Sequence, residues 1–207
     1  MQDKISFTST INFVPHTKYK RISHNCNTYI DTAIYGKNML FRQALNFKIK
    51  AVRTCTALVI NDGENNALGA HFYDCLENAQ HLNDICTNMS DAINWKPSGG
   101  LIVGSKSLIF RPYSKPIFSR LKDFMEEKIS KLSVFQEHAD ELSETDFHYD
   151  VKTDTYTICS RGFDRKNEKI ISINSPEDLL KRYRKIHIAD GDILMINGEK
   201  INPDTLQ

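Results

Sequence analysis

Two short apolar runs on either side of a turn set the tightest limit on what this chain can fold into. Cys55-Thr-Ala-Leu-Val-Ile60 is apolar and β-branched, Asp62-Gly63-Glu64-Asn65-Asn66 carries turn chemistry, and Leu68-Gly-Ala-His-Phe-Tyr73 is apolar again. Runs of this length separated by Gly, Asn and Asp predict a β-hairpin. A second hairpin is predicted where Phe147-His-Tyr-Asp150 and Thr155-Tyr-Thr-Ile-Cys159 flank Lys152-Thr-Asp154. Further strands are expected at Leu101–Ser105, 107–110, Ile170–Ile173 and Asp192–Ile196, the last ending at Asn197-Gly198. Between them, Ala79, Leu82, Ile85/Cys86 and Met89 recur at helical spacing and predict a helix over 76–90. Ser114 and Pro116 open a longer stripe through Phe118, Leu121, Phe124/Met125, Ile129, Leu132 and Phe135, and Ser175-Pro-Glu-Asp178 caps a third helix. The first 45 residues read as short strands and loops, and Gln136–Glu144 as a loop or frayed helix end. Strands alternate with helices but include hairpins. The predicted class is therefore α/β in the α+β sense, with mixed, largely antiparallel sheet layers and flanking helices.

Charge and cysteine usage narrow the function classes. The 27 basic and 26 acidic side chains among 207 residues leave a net charge of +1, which gives no global reason to expect nucleic-acid binding. That neutrality conceals structure: residues 1–50 carry eight basic and two acidic side chains, and residues 51–150 carry nine against fifteen. The sequence thus predicts a basic arm packed on an acidic middle, or docked on a partner. No stretch of 18 apolar residues occurs, so no membrane span is expected, and residues 1–21 lack the features of a signal peptide. The five cysteines, at 26, 55, 75, 86 and 159, include no Cys-x-x-Cys pair, which predicts reduced thiols and no structural zinc. On a helix the spacing of Cys75, His81 and Cys86 puts Cys75 and His81 nearly opposite each other, which argues against a metal site there. Cys159 and Trp95 read as core, and Lys181-Arg-Tyr-Arg-Lys185 as a solvated basic helix face.

One pair remains for chemistry. If the first hairpin turns on Gly63, Cys55 and His71 oppose each other on one sheet face, with Cβ atoms about 4.5–5.5 Å apart. A register slip of one residue would separate them to opposite faces. A thiol beside an imidazolium loses its proton more readily, and the thiolate attacks carbonyl carbon while the histidine protonates the leaving group.

The wording around this pair, Thr54-Cys-Thr-Ala-Leu-Val-Ile-Asn-Asp62 followed by Leu68-Gly-Ala-His-Phe72, resembles the signature of the chemotaxis glutamine deamidase CheD. The order of later features is similar: Asn78-Ala79 at a helix start, Gly99-Gly100-Leu-Ile-Val103 as a strand, then a helix and a closing hairpin. A Cys–His pair of this kind also resembles that of the cytotoxic necrotizing factors and the Burkholderia lethal factor. The likeness spans roughly 46–160 and implies a CheD-like sandwich core there, with residues 1–45 a basic N-terminal extension and 161–207 a C-terminal extension packing on the core. It implies a protein-glutamine deamidase whose partner is a protein presenting a glutamine side chain and whose chemistry needs no metal or organic cofactor. Cys55 would be the nucleophile, His71 the proton carrier, and the backbone N–H groups near Thr54 and Cys55 an oxyanion hole. The family threonine that orients the histidine corresponds to Ile49, so the resemblance implies that a backbone carbonyl, such as that of Ile49, takes its place. A related acyl-transfer enzyme or a non-catalytic binding module would share the same framework. A cytoplasmic protein, or an effector delivered into a host cell without a cleavable signal, is the expected setting.

Overall fold

The computed structural model describes residues 8–38, 40–104, 112–138, 143–164 and 169–206. The chain runs through β1 (Thr10–Phe13), α1 (His16–Ile22), β2 (Tyr29–Ile30), β3 (Phe41–Gln43), β4 (Asn46–Val52), β5 (Thr56–Asn61) and β6 (Ala67–Phe72). It continues through α2 (Leu76–Gln80), α3 (Leu82–Ala92), β7 (Gly99–Gly104), α4 (Ser114–Lys128), β8 (Lys131–Glu137), β9 (Glu144–Asp150) and β10 (Thr155–Asp164). Then follow β11 (Lys169–Ser172), α5 (Pro176–Arg182), β12 (Tyr183–His187), β13 (Ile193–Ile196) and β14 (Glu199–Ile201). The expected strand at 107–110 lies outside the described residues.

These strands form two mixed sheets, largely antiparallel as expected. One has the order β14-β13-β1-β10-β9-β4-β2, with β11 also paired to β10; the other has the order β12-β8-β7-β5-β6-β3. The inner faces of both sheets share one apolar core, with Phe13, Phe47, Phe147 and Tyr149 from the first meeting Ala57, Val59, Leu101, Val103 and Phe135 from the second. The outer face of the second sheet buries Leu58, Ile60, Leu68 and Ala70 under Ile85 and Met89 of α3 and Ile117, Leu121 and Met125 of α4. Covered on both sides, β5, β6 and β7 are buried at every position, which is why they read as continuous apolar runs. Each Val, Leu, Ile or Phe among them contributes about 1.5–3 kcal/mol relative to exposure. Among the described residues no helix is long and apolar enough to cross a membrane.

Three expectations give way to packing. The helix expected at 76–90 is two helices broken at His81, whose ring stacks on Tyr35 at 4.1 Å. The long stripe from Phe118 ends as a helix at Lys128, and Leu132 and Phe135 belong instead to β8. Alternation drives this change, because Leu132 and Val134 pack under the helices while Phe135 enters the core between sheets. The Lys181–Lys185 stretch is not a solvated helix face. It spans the end of α5 and the start of β12, and within it Arg182 and Tyr183 are buried. Arg182 meets Glu137 at 2.7 Å and also donates to Ser160 and Ser143.

The described residues from Thr8 to Leu45 do not stand apart as an arm. β1 lies inside the first sheet, parallel to both β10 and β13, while β2 and β3 form one edge of each sheet. An interior strand cannot be an appendage, because its backbone N–H and C=O groups are satisfied by the neighbours on either side. The C-terminal β13 and β14 extend that same sheet.

Candidate functional site

The chain passes from one sheet to the other within a few residues. β4 ends at Val52 in the first sheet, β5 begins at Thr56 in the second, and Arg53, Thr54 and Cys55 form the bend between them. A bulge between Ile49 and Val52 prepares the turn, and within it Ala51 adopts φ +56°. That conformation is costly for a residue with a Cβ and persists where neighbours impose it. Here the Asp146 carboxylate accepts the Ala51 N–H at 2.8 Å and is itself held by Arg161 at 2.8 Å. Glu144 bridges Arg161, at 2.5 Å, to Arg53, at 3.0 Å. On the far side of the bend the Ser114 hydroxyl donates to the Thr54 carbonyl at 2.7 Å. Gly104 packs so close that a Cβ there would sit 2.7 Å from the Cys55 carbonyl oxygen.

Facing this bend is the end of β6. The hairpin register places Ala57 opposite His71 and Thr56 opposite Phe72, so Cys55 and His71 are diagonal neighbours and not a directly opposed pair. The reason is the turn. Its loop runs over Asp62–Asn66, where the Asp62 carboxylate accepts the N–H groups of Glu64, Asn65 and Asn66, each at 2.9 Å. The pairing shifts by two positions relative to a turn centred on Gly63, and an even shift keeps both side chains on one face. That face looks toward the other sheet, since Ala57, Val59 and Ala67 of the same parity belong to the core between the sheets.

Cys55 and His71 are both buried, at 6% and 1% exposure. The partner at His71 Nδ1 is the hydroxyl of Thr32, at 3.2 Å. The Ile49 carbonyl expected in that role belongs to an interior strand residue, paired with Phe147 on one side and Ile30 on the other. Thr32 reaches the histidine because its segment is laced to the end of β6. Ala33 N–H donates to the His71 carbonyl at 2.6 Å, and Tyr73 N–H donates to the Ala33 carbonyl at 3.1 Å. Asn78, fully buried at the start of α2, donates to the carbonyls of Ala33 and Tyr73 and accepts the Tyr35 N–H. No local signal marks Thr32, since it sits in a polar stretch whose role comes entirely from this long-range lacing. Asn78 is visible in the sequence only as a helix start.

With Nδ1 engaged, His71 Nε2 is buried and has no hydrogen-bond partner among the described residues. Burial alone lowers the His71 pKa from 6.5 to about 4, so the ring is neutral at physiological pH. The expected imidazolium is thus replaced by a neutral imidazole. All five cysteines carry thiols. Among the described residues no three His, Cys, Asp or Glu side chains gather as metal ligands do; Cys75 precedes α2, His81 meets Asp84 at 3.2 Å, and Cys86 is buried on the inner side of α3.

The arrangement offers a thiol at a bend, a neutral base on the same face, and a hydroxyl that fixes the base. Those are the parts of nucleophilic acyl transfer. No protein-family model matches the chain, and neither does any curated protein.

Proposed function

We propose that this protein is a protein-glutamine deamidase acting through Cys55 and His71. One observation carries the reading: Thr32 holds His71 by Nδ1 and leaves Nε2 unpartnered on the face of the sheet that also bears Cys55. A buried ring nitrogen with no partner costs about 1–3 kcal/mol, which a site that moves protons repays in function.

Chemically, His71 Nε2 takes the thiol proton as Cys55 Sγ attacks the carbon of a glutamine carboxamide. The tetrahedral oxyanion is met by backbone N–H groups of the Thr54–Cys55 bend, the oxyanion-hole role. The C–N bond then breaks, His71 returns its proton to the departing ammonia, and a thioester remains. Water attacks the thioester while giving a proton to His71, the C–S bond breaks, and the sulfur recovers that proton as glutamate leaves. An amine in place of water turns the same thioester to transglutamination.

The burial of Cys55 and His71 favours one second reading, a binding module in which the pair is only packed. A single experiment separates the two. A partner captured from a lysate on Cys55→Ala protein is incubated with wild-type protein and its glutamines are analysed by peptide mass spectrometry. Conversion of a glutamine to glutamate by wild type but not by Cys55→Ser supports deamidation. A captured partner left chemically unchanged by wild-type protein supports the binding module.

A further inference from the structure

The +6 charge of residues 1–50 is not used by the site above, and the fold gathers part of it at one place. On the outer face of the first sheet lies a cleft of ≈ 530 Å³ between α1, the end of β4 and the β9–β10 hairpin. Lys20, Lys48 and Lys50 line it together with His16, Tyr19 and Arg161. The two carboxylates of the cleft, Glu144 and Asp146, are both engaged by Arg161. No carboxylate lies within ion-pair distance of the three lysines among the described residues. Lys48 leans on the Ser23 carbonyl at 3.3 Å and Lys50 lies over the Tyr29 ring at 5.3 Å, so both ammonium groups are held by weak neutral partners.

A second, independent observation lies deeper in the cleft. Tyr19 is 2% exposed and its hydroxyl has no hydrogen-bond partner among the described residues, an arrangement that strands a donor. The Arg161 Nε is likewise buried without a partner. Three uncompensated ammonium groups at the rim and unused donors below them match a compact dianion with several acceptor oxygens.

We infer that this cleft binds the phosphoryl group of a small soluble molecule, with Lys20, Lys48 and Lys50 meeting its charge and the Tyr19 hydroxyl donating to one of its oxygens. The cleft volume admits a ligand larger than phosphate itself, such as a pyrophosphate or a nucleoside phosphate.

The test is isothermal titration calorimetry of the full chain with sodium pyrophosphate and with a nucleoside triphosphate, at matched ionic strength. Parallel arms use a glutamate-rich peptide and vesicles containing a phosphorylated inositol lipid. Saturable binding of either soluble phosphate is expected. Lys48→Gln/Lys50→Gln should weaken it by about tenfold or more, and Tyr19→Phe by about threefold to tenfold, the range for charged and neutral donors. Tyr19→Phe removes no internal hydrogen bond, so its thermal midpoint should stay at the wild-type value and keep a loss of binding interpretable. No saturation by either soluble phosphate overturns the inference. So does binding that both variants leave intact, or binding confined to the acidic peptide or to the vesicles.

Discussion

Both hairpins set a cysteine and a histidine on one sheet face, two residues off direct opposition but along opposite diagonals. Cys55 lies two residues from Ala57, which faces His71 across β5 and β6; Cys159 lies two residues from Thr157, which faces His148 across β10 and β9. Both histidines are buried and both have pKa values lowered chiefly by burial. The surroundings then diverge. Cys159 sits mid-strand, fully buried with Val14 and Tyr19, its thiol 3.9 Å from His16 Nδ1. Burial, with some help from the Asp146 and Glu144 charges, pushes its pKa up to about 11 despite the nearby Arg161. Cys55 instead lies where the chain bends between sheets, beside backbone that has left the ladder. Each histidine leaves one buried ring nitrogen without a partner among the described residues, but not the same one: His148 gives Nε2 to Asn46 at 2.8 Å and leaves Nδ1, whereas His71 is held by Nδ1 and leaves Nε2. Spacing is therefore common to both hairpins; the bend and the orientation of the imidazole are what set Cys55 apart.

The largest expected difference between the hairpins is in rate. Once a partner has been captured, His71→Gln should lower ammonia release by about 10²–10⁴, the usual worth of a positioned acid–base group. His148→Gln and Cys159→Ser should leave it unchanged. Equal losses from the two histidines would erase the distinction drawn here.

Stability against pH comes next. Between pH 6.5 and about 4 the unfolded chain binds a proton on His71 and the folded chain does not. The His71 contribution is therefore complete above pH 6.5 and is lost as pH falls toward 4, about 3 kcal/mol in all. His148 acts with the same sign. Asp192, raised by burial to about 6, acts with the opposite sign, its contribution being lost as pH rises toward that value. Denaturant unfolding of wild type and His71→Gln at pH 7 and pH 4 isolates the histidine, and the variant should lose less stability on acidification.

Glycines give a smaller contrast. Gly104→Ala, at φ +147° against the Cys55 carbonyl, should cost about 1–3 kcal/mol in the same assay. Gly162→Ala in β10, where a Cβ meets nothing closer than 3.9 Å, should stay within about 0.5 kcal/mol. The positioning residue gives a further contrast. Thr32→Val should lower kcat/KM about tenfold, the worth of one hydrogen bond, with Thr32→Ser recovering most of it. Because Thr32 acts through the ring, the valine variant should also shift the acid limb of the pH–rate profile, which a purely structural role would not move.

Much of this architecture is legible in the sequence because strands covered on both faces announce themselves. Leu58–Ile60 and Leu101–Val103 have no polar alternative, and Asn197-Gly198, with Asn197 at φ 58°, marks its turn directly. Cys55 and His71 were readable to the level of a shared face, because parity survives an even shift in register. Their diagonal placement was not, since it depends on how many N–H groups Asp62 gathers into the turn. Thr32 and β1 were beyond reach for a related reason. A segment as short as Thr10–Phe13 becomes interior only through partners more than a hundred residues away.

The central claim, that the bend makes Cys55 the reactive thiol, can be tested without a substrate. Folded protein is treated with iodoacetamide at neutral pH, and the labelling rate of each cysteine is followed by peptide mass spectrometry. Exposure alone ranks Cys75 first, since it is the one thiol that is not buried. The account predicts that Cys55 labels fastest, ahead of Cys75 and far ahead of Cys159, and that His71→Gln slows Cys55 without changing Cys75. Labelling of Cys75 first, with Cys55 and Cys159 reacting together only after denaturant is added, would contradict it.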